Sequence, residues 1–273
     1  MKSKLVVVLW LLTLVICSAN ATAQVVIAQI SDTHIGEHRA PHAADNLRKA
    51  VDMVNARHPD AVIVSGDIGE NAEGWEQARS ILQRLKAPVY YAPGNHDVHT
   101  KDVEKYRRVF GKDYYRFSVK NVDFVVIDSQ LLGNYDKYEA KSPAPLPSET
   151  EAEGHEMLSW LGDQKPQRGR PLIGIQHVPV FRDGGFPDPK PYWVVDEPYR
   201  GREIAILHEI GIKQMLVGHW HNGRVFEREG IIWRVAPATS WLPWGGQLGF
   251  ALHSISGDGN VDTRFVELPN AEP

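Results

Sequence analysis

Val25-Val26-Ile27-Ala28-Gln29-Ile30-Ser31-Asp32-Thr33-His34 is an apolar run that stops on a serine, an acid and, two residues on, a histidine. A short run of this kind, with almost no polar alternation, fits a strand buried on both faces. The pattern returns twice. Ala61 to Val64 leads to Gly66-Asp67, and Val89 to Ala92 leads to Gly94-Asn95-His96-Asp97. Between these runs, Leu47, Val51 and Val54 mark the buried stripe of a helix that must stop near Pro59. Trp75, Ala78, Ile81, Leu82 and Leu85 trace a second helix before Pro88. Strand, helix, strand, helix, strand calls for parallel strands with right-handed crossovers.

Further along, the character changes after Phe110. Tyr114 to Val119 and Asp123 to Asp128, joined through Lys120-Asn121, read as a hairpin. Leu172 to Gln176 and Gln214 to Val217 are further buried strands, with a helix from Gly201 to Ile210 between them. From Val225 onward the chain reads as antiparallel strands, with Gly257-Asp258-Gly259-Asn260 turning before the last. No repeat or linker interrupts residues 24–273, which are expected to form one domain. The stretch Pro179 to Pro198 is rich in Pro and Gly, carries Arg182 and is too long for an ordinary connector, so it is expected to act as a lid. Of the tryptophans, Trp193, Trp220, Trp233, Trp241 and Trp244 are expected mostly between the sheets. Trp220, flanked by His219 and His221, is expected to wall the site.

The first residues need a separate reading. Met1-Lys2-Ser3-Lys4 is a basic start, Leu5 through Cys17 is apolar for about 13 residues, and small residues follow at Ala19, Ala21 and Ala23. Roughly 20 apolar residues would be needed to span a bilayer. Residues 1–23 are therefore expected to be a secretory signal, making the mature protein secreted or periplasmic, with no transmembrane span once the signal is removed. The chain's one cysteine, Cys17, would leave with the signal and can form no internal disulfide. With 30 basic against 34 acidic side chains, the net charge of -4 gives no reason to expect a nucleic-acid scaffold. A hydrophobic content of 42% excludes a disordered chain.

Histidine is the unusual component, at 12 residues, and its placement decides the chemistry. In open α/β sheets, ligands bind beyond the carboxyl ends of the strands. Asp32, His34, Asp67, Asn95, His177, His219 and His221 all stand at such ends. Oxygen and imidazole donors without thiolate suit Mn, Fe, Zn or Co better than a structural zinc. These groups are too many for one ion and enough for two divalent ions sharing a carboxylate, roughly 3.5–4 Å apart. Each motif alone is weak, since Gly-Asp also occurs at Gly162-Asp163 and Gly257-Asp258. Gly-Asn-His-Asp, by contrast, is expected by chance only about two times in a thousand such chains. His99 could reach this pocket, while His38, His42, His58, His155, His208 and His253 read as surface or packing residues.

The ordered set Asp32-x-His34, Gly66-Asp67, Gly94-Asn95-His96-Asp97, His177 and Gly218-His219-x-His221 resembles the calcineurin-like metallophosphoesterase family. Asp128-Ser129-Gln130, His177-Val178-Pro179-Val180-Phe181 and the long loop before Gly218 look like its complete-S-transactivated-protein branch. The resemblance implies an α/β fold, a four-layer αββα sandwich of two mixed β-sheets flanked by helices. It implies that Asp32, His34 and His221 hold one metal, that Asn95, His177 and His219 hold the other, and that Asp67 bridges both. His96 would be a non-ligand histidine beside the scissile ester, oriented by Asp97. The implied activity is phosphate-ester hydrolysis by a metal-bridging hydroxide, acting on a phosphomonoester or phosphoprotein. A cyclic-nucleotide or other phosphodiesterase is the alternative, and a catalytically silent metal-bound module a further one.

Overall fold

The computed structural model describes residues 24–98, 103–136 and 138–273. The expected signal and His99 lie outside these residues. β1 (Val25–Ile30), β2 (Ala61–Ser65) and β3 (Val89–Ala92) lie parallel, connected through α1 (Ala43–Asn55) and α2 (Ala72–Leu82). On the other side of β1 run two antiparallel strands, β10 (Gly249–Ile255) and then β11 (Val261–Glu267), giving the order β11-β10-β1-β2-β3.

The second sheet is also mixed. Its interior strands β5 (Val122–Val126), β6 (Leu172–Ile175), β7 (Gln214–Val217) and β9 (Ile231–Val235) are parallel. Its edges, β4 (Tyr115–Val119) and β8 (Arg224–Arg228), are antiparallel to their neighbours. The expected run of antiparallel strands after Val225 is thus split. β8 and β9 pair antiparallel as expected, but β9 inserts parallel beside β7, while β10 and β11 return to the first sheet.

Side-chain alternation explains why the strands read as continuous apolar runs. Ile27 of β1, Ile63 of β2 and Phe124 of β5 point into the core between the sheets, with Ile173 and Leu216. Their neighbours Ala28, Val62 and Val64 face outward beneath Leu47, Val51, Trp75 and Leu82 of α1 and α2. On the opposite outer face, Val125, Met215 and Trp233 pack against α4 (Ser148–Gly162) and α5 (Tyr199–Glu209) through Met157, Leu161 and Leu207. Both faces of each sheet are therefore covered, and the layers run helix, sheet, sheet, helix.

Two sequence expectations need correction here. α3 (Val103–Phe110), which buries Tyr106, was not read from the sequence. The tryptophans are not inter-sheet core either. Trp193, Trp220 and Trp233 belong to the outer core under α4 and α5, because valine, isoleucine and phenylalanine already fill the space between the sheets. Among the described residues, no helix is long and apolar enough to cross a membrane.

Candidate metal centre

The loops after β1, β2, β3, β6 and β7 open at one edge and are tied to each other before any side chain is considered. Asp32 N donates to Gly66 O at 3.0 Å, His34 N to Asp67 O at 2.9 Å, and Gly218 N to His177 O at 2.9 Å. Carboxylates complete the lashing. Asp67 Oδ1 accepts the backbone N–H of His96 at 2.9 Å, and the Asp32 carboxylate accepts that of His219 at 3.1 and 3.2 Å.

These turns hold unusual backbone. Asp32, His34, Asp67, His219 and His221 have φ values of 52°, 41°, 52°, 71° and 58°. Left-handed conformations in non-glycine residues cost on the order of 1–3 kcal/mol each and persist only where the surroundings enforce them. Glycine meets the tightest point. Gly66 has φ of 94°, and a Cβ there would lie 2.5 Å from His177 Nδ1. At Gly94 a Cβ would meet Asp67 N at 2.2 Å. The glycines of the two motifs are thus the space into which the neighbouring ligand side chains fit.

The side chains converge in two groups that share Asp67. Asp32, His34, Asp67 and His221 form one, and Asp67, His177 and His219 the other, with candidate ligand atoms within 4.8 Å of one another in each. All six residues are buried. Asn95 joins the second group. Its Nδ2 donates to the Tyr192 hydroxyl at 2.8 Å, while its buried Oδ1 has no hydrogen-bond partner.

Hydrogen bonds on the outer nitrogens fix which imidazole atoms face inward. His177 Nδ1 donates to Ser65 O at 2.7 Å and His221 Nδ1 to Trp241 O at 2.8 Å. His34 Nδ1 meets Glu70 Oε1 at 2.6 Å. Each of these rings therefore turns its Nε2 toward the centre. His219 is reversed: its Nε2 donates to Tyr192 O at 2.8 Å, leaving Nδ1 free. Two such nitrogens, His34 Nε2 and His221 Nε2, stand 3.1 Å apart. His177 Nε2 lies 3.1 Å from Asp67 Oδ2. Burial alone would lower the pKa of this ring, but Asp67 and Asp32 outweigh it and hold the ring up at about 9. Donor atoms crowded this closely repel one another unless a proton or a metal cation lies among them. The donor set therefore fits divalent metal, with the outer N–H groups held as metal-bound imidazoles require.

Electrostatics sort the histidines. Burial, and then the neighbouring His177, pushes His219 down to about 3. Burial together with His34 pushes His221 well below the usual imidazole range. Both are thus neutral, the form that binds metal. For His96, burial alone would lower the value, but Asp67 and Glu70 outweigh it and hold the ring at about 9.

The carboxylate that orients His96 is Glu70, not the expected Asp97. Glu70 Oε2 lies 2.7 Å from His96 Nδ1, while its other oxygen holds His34. Asp97 serves the backbone instead. Its Oδ1 accepts from Ile68 N at 2.9 Å, Gly69 N at 3.3 Å and Trp75 Nε1 at 3.2 Å, and its Oδ2 accepts from Gly94 N at 3.0 Å. The available signal was an acid three residues after Asp67. Tyr192, which touches both Asn95 and His219, had no signal beyond its place in the expected lid.

A cavity of about 470 Å³ opens above these residues. Asp67, Asn95, His96, His219 and His221 form its polar floor, and Tyr192, Trp193, Trp241 and Trp244 are among the residues lining the rest. Trp220 does not wall it, contrary to expectation. Its ring is fully buried, stacked with Phe226, and Nε1 donates to Trp193 O at 2.9 Å. The segment expected as a lid lies against the centre, where Pro191–Trp193 forms a short 3-10 helix.

Residues 25–223 match the model of the family described as calcineurin-like phosphoesterase. The human serine/threonine-protein phosphatase CPPED1 is 26% identical over 187 residues, covering 64% of this chain and 57% of that protein. The chain thus spans less than two thirds of that relative's length. The glycerophosphodiester phosphodiesterase GpdQ of Enterobacter lignolyticus is 32% identical over 230 residues, 78% of this chain and 77% of that one. Among solved structures, a dimetal phosphatase from Danio rerio superposes with a TM-score of 0.65 at 15% identity, covering 89% of this chain and 99% of that one. That likeness concerns the fold of two mixed sheets with flanking helices.

Proposed function

The chain belongs to the calcineurin-like phosphoesterase family, and we propose that it hydrolyses phosphate esters at a centre for two divalent ions. Asp32, His34 and His221 would hold one ion and Asn95, His177 and His219 the other, with Asp67 shared. The observation that carries this reading is the pair of buried donor groups meeting at Asp67, each with imidazole nitrogens turned inward. When bound, ions of the Mn, Fe, Zn or Co kind supply the Lewis acidity that ionises water at neutral pH and neutralises phosphate.

The chain's own residues do the remainder. Glu70 fixes His96 through Nδ1, so that Nε2 points toward the cavity and gives a proton to the leaving oxygen. Tyr192 braces Asn95, and its hydroxyl lies 3.4 Å from His96 Nε2. The aromatic walls limit the water that competes for the ester oxygens. Among the described residues no serine or cysteine lines the cavity, and the reaction needs no covalent ester on the chain.

A phosphomonoester, free or on a protein, is the first substrate reading, in keeping with the printed name of the human relative. A specific observation favours a diester as the second. The lysine or arginine lining the cavity among the described residues is Arg39, and Glu37 occupies its guanidinium at 3.0 and 2.8 Å. Besides the metals, His96 is then the one cation among the described lining residues that can neutralise a monoester's second charge. Rates with p-nitrophenyl phosphate and bis(p-nitrophenyl) phosphate, metal-free and with Mn²⁺, test both. Metal-dependent turnover of either ester supports the hydrolase, and their ratio chooses between mono- and diester. Turnover of neither would leave the silent metal-binding module.

Asp67→Asn should lower metal content and turnover together, because both donor groups lose the same oxygen. Two bound ions with near-normal turnover in that variant would sink the shared assignment. The reading also places the protein outside the cytoplasm, on the strength of the basic start and short apolar run. N-terminal sequencing of material from its own host should give Thr22 or Gln24, and a mature chain beginning at Met1 would reject export.

A further inference from the structure

Outside its metal-facing side, the cavity is lined mainly by aromatic rings, with Arg39, Asp136 and Pro243 among them. Tyr138, Tyr192, Trp193 and Trp244 form one continuous wall, with ring centroids 5.3 Å apart for Tyr138–Tyr192, 4.9 Å for Tyr192–Trp193 and 4.7 Å for Trp193–Trp244. Trp241 comes from a different part of the rim. It stands edge-on to His221 at 4.8 Å, and the Arg39 guanidinium lies over its ring at 4.3 Å. Because Glu37 holds that guanidinium, Arg39 stiffens the tryptophan instead of reaching for phosphate. The rings are thus preorganised, and a ligand stacking on them would lose little by ordering them.

Exposure points the same way. Tyr138 and Trp244 are 41% and 36% exposed, two of the four large hydrophobic side chains so exposed among the described residues, and both stand at this mouth. Flat faces beside a phosphate-binding floor suit a flat group beside a phosphate.

We infer that the esters this centre accepts carry a planar aromatic group, held among the edge-to-face rings of Tyr138, Trp193 and Trp244 and the ring of Trp241. This rests on the phosphoesterase reading above and narrows its substrate class. The shared chemistry is a π-face close to the phosphate, and its source is either a nucleobase or a benzene ring.

Two matched pairs separate the sources: adenosine 5′-monophosphate against ribose 5-phosphate, and benzyl phosphate against cyclohexylmethyl phosphate. Within each pair the leaving oxygen is a primary alkoxide, so the difference reports the ring. Binding to the Mn²⁺-loaded protein by calorimetry and kcat/KM are both read. The aromatic member of at least one pair should bind about tenfold or more tighter, within the usual range for stacking on such rings. That preference should appear in KM, and it should shrink toward parity in Trp244→Ala and Trp241→Ala. A preference confined to the first pair assigns nucleotides, and one confined to the second assigns aryl esters. Equal binding within both pairs overturns the inference while leaving hydrolysis intact. If no ester turns over, p-nitrophenyl phosphate and bis(p-nitrophenyl) phosphate included, the phosphoesterase reading fails, and the calorimetric ratio still decides this one.

Discussion

Glu70 gives one oxygen to His34 and the other to His96, so one carboxylate orients both a candidate metal ligand and the candidate proton donor. Partners of this kind typically contribute about 10–100-fold to metal affinity or activity. Glu70→Gln keeps the shape but removes the charge and one acceptor. Turnover should fall by about that factor, with weaker metal retention. Wild-type values for both, by steady-state rates and metal analysis, would remove Glu70 from this role. Asp97→Asn should behave differently. Its new amide would face backbone N–H groups that lose their acceptor, at about 1–3 kcal/mol each. It should lower the melting temperature more than Glu70→Gln does, with turnover held within a few-fold at low temperature. The histidines that the two donor groups bring together were legible because each follows a strand end. The Glu70–Asp97 exchange was not. Residues 94–98 make a tight turn, with Asp97 N and Val98 N both donating to Gly94 O, and in such a turn adjacent side chains leave in different directions. His96 faces Glu70 while Asp97 turns back under residues 68 and 69, and chain order cannot tell them apart.

The turns that end β2 and β3 carry their function through space as much as through donors. Gly66 and Gly111 share a φ of 94°, yet a Cβ at Gly111 would meet nothing within 4 Å whereas one at Gly66 would strike His177. Gly111→Ala should therefore show backbone strain alone, about 1–2 kcal/mol, as a melting point lower by a few degrees with turnover unchanged. Gly66→Ala adds displacement of His177 and should lose metal and activity as well as stability. Equal melting shifts with equal turnover in the two variants would show that the loop yields freely and that the close approach does not position the ligand. At this scale β1, β2, β3 and their helices were legible, since the apolar runs are short and unbroken, with β1 and β2 buried almost throughout and β3 half-buried at the sheet edge. The placement of β9 was hidden. Its pairing with β8 is local, but its parallel pairing with β7 joins residues 214–217 to 232–235 and leaves no mark in either sequence.

The two sheets are joined by more than apolar packing, through a relay of hydrogen bonds no single strand discloses. Arg234 of β9 donates to Thr263 of β11 at 2.8 Å, and Thr263 meets His253 Nδ1 of β10 at 2.9 Å. His253 Nε2 reaches Gln29 Oε1 of β1 at 2.9 Å, and Gln29 Nε2 donates across to Val217 O of β7 at 3.0 Å. The relay leaves the second sheet at Arg234 and returns to it at Val217. Gln29 Oε1 can only accept, so His253 Nε2 carries the proton, and in the neutral ring Nδ1 accepts from the Thr263 hydroxyl. Burial first, and then the Arg234 charge, push its pKa from 6.5 down to about 3. The sign follows from which state takes the proton. Below 6.5 the unfolded chain protonates His253 and the folded chain does not, so this stability is complete above 6.5 and is lost as pH falls toward 3. Between about pH 7.5 and pH 5.5 the loss should be about 1.4 kcal/mol for a group with that unfolded pKa. Other groups titrate over the same interval, His219 and His221 among them, so the quantity to measure is a double difference. Urea unfolding of the metal-loaded protein and of His253→Gln at both pH values isolates the contribution. The variant should start less stable, through loss of relay bonds, and should lose about 1.4 kcal/mol less than the parent on acidification. Parallel losses in the two proteins would mean that the ring protonates within the folded sheets and that the relay tolerates a charge between them.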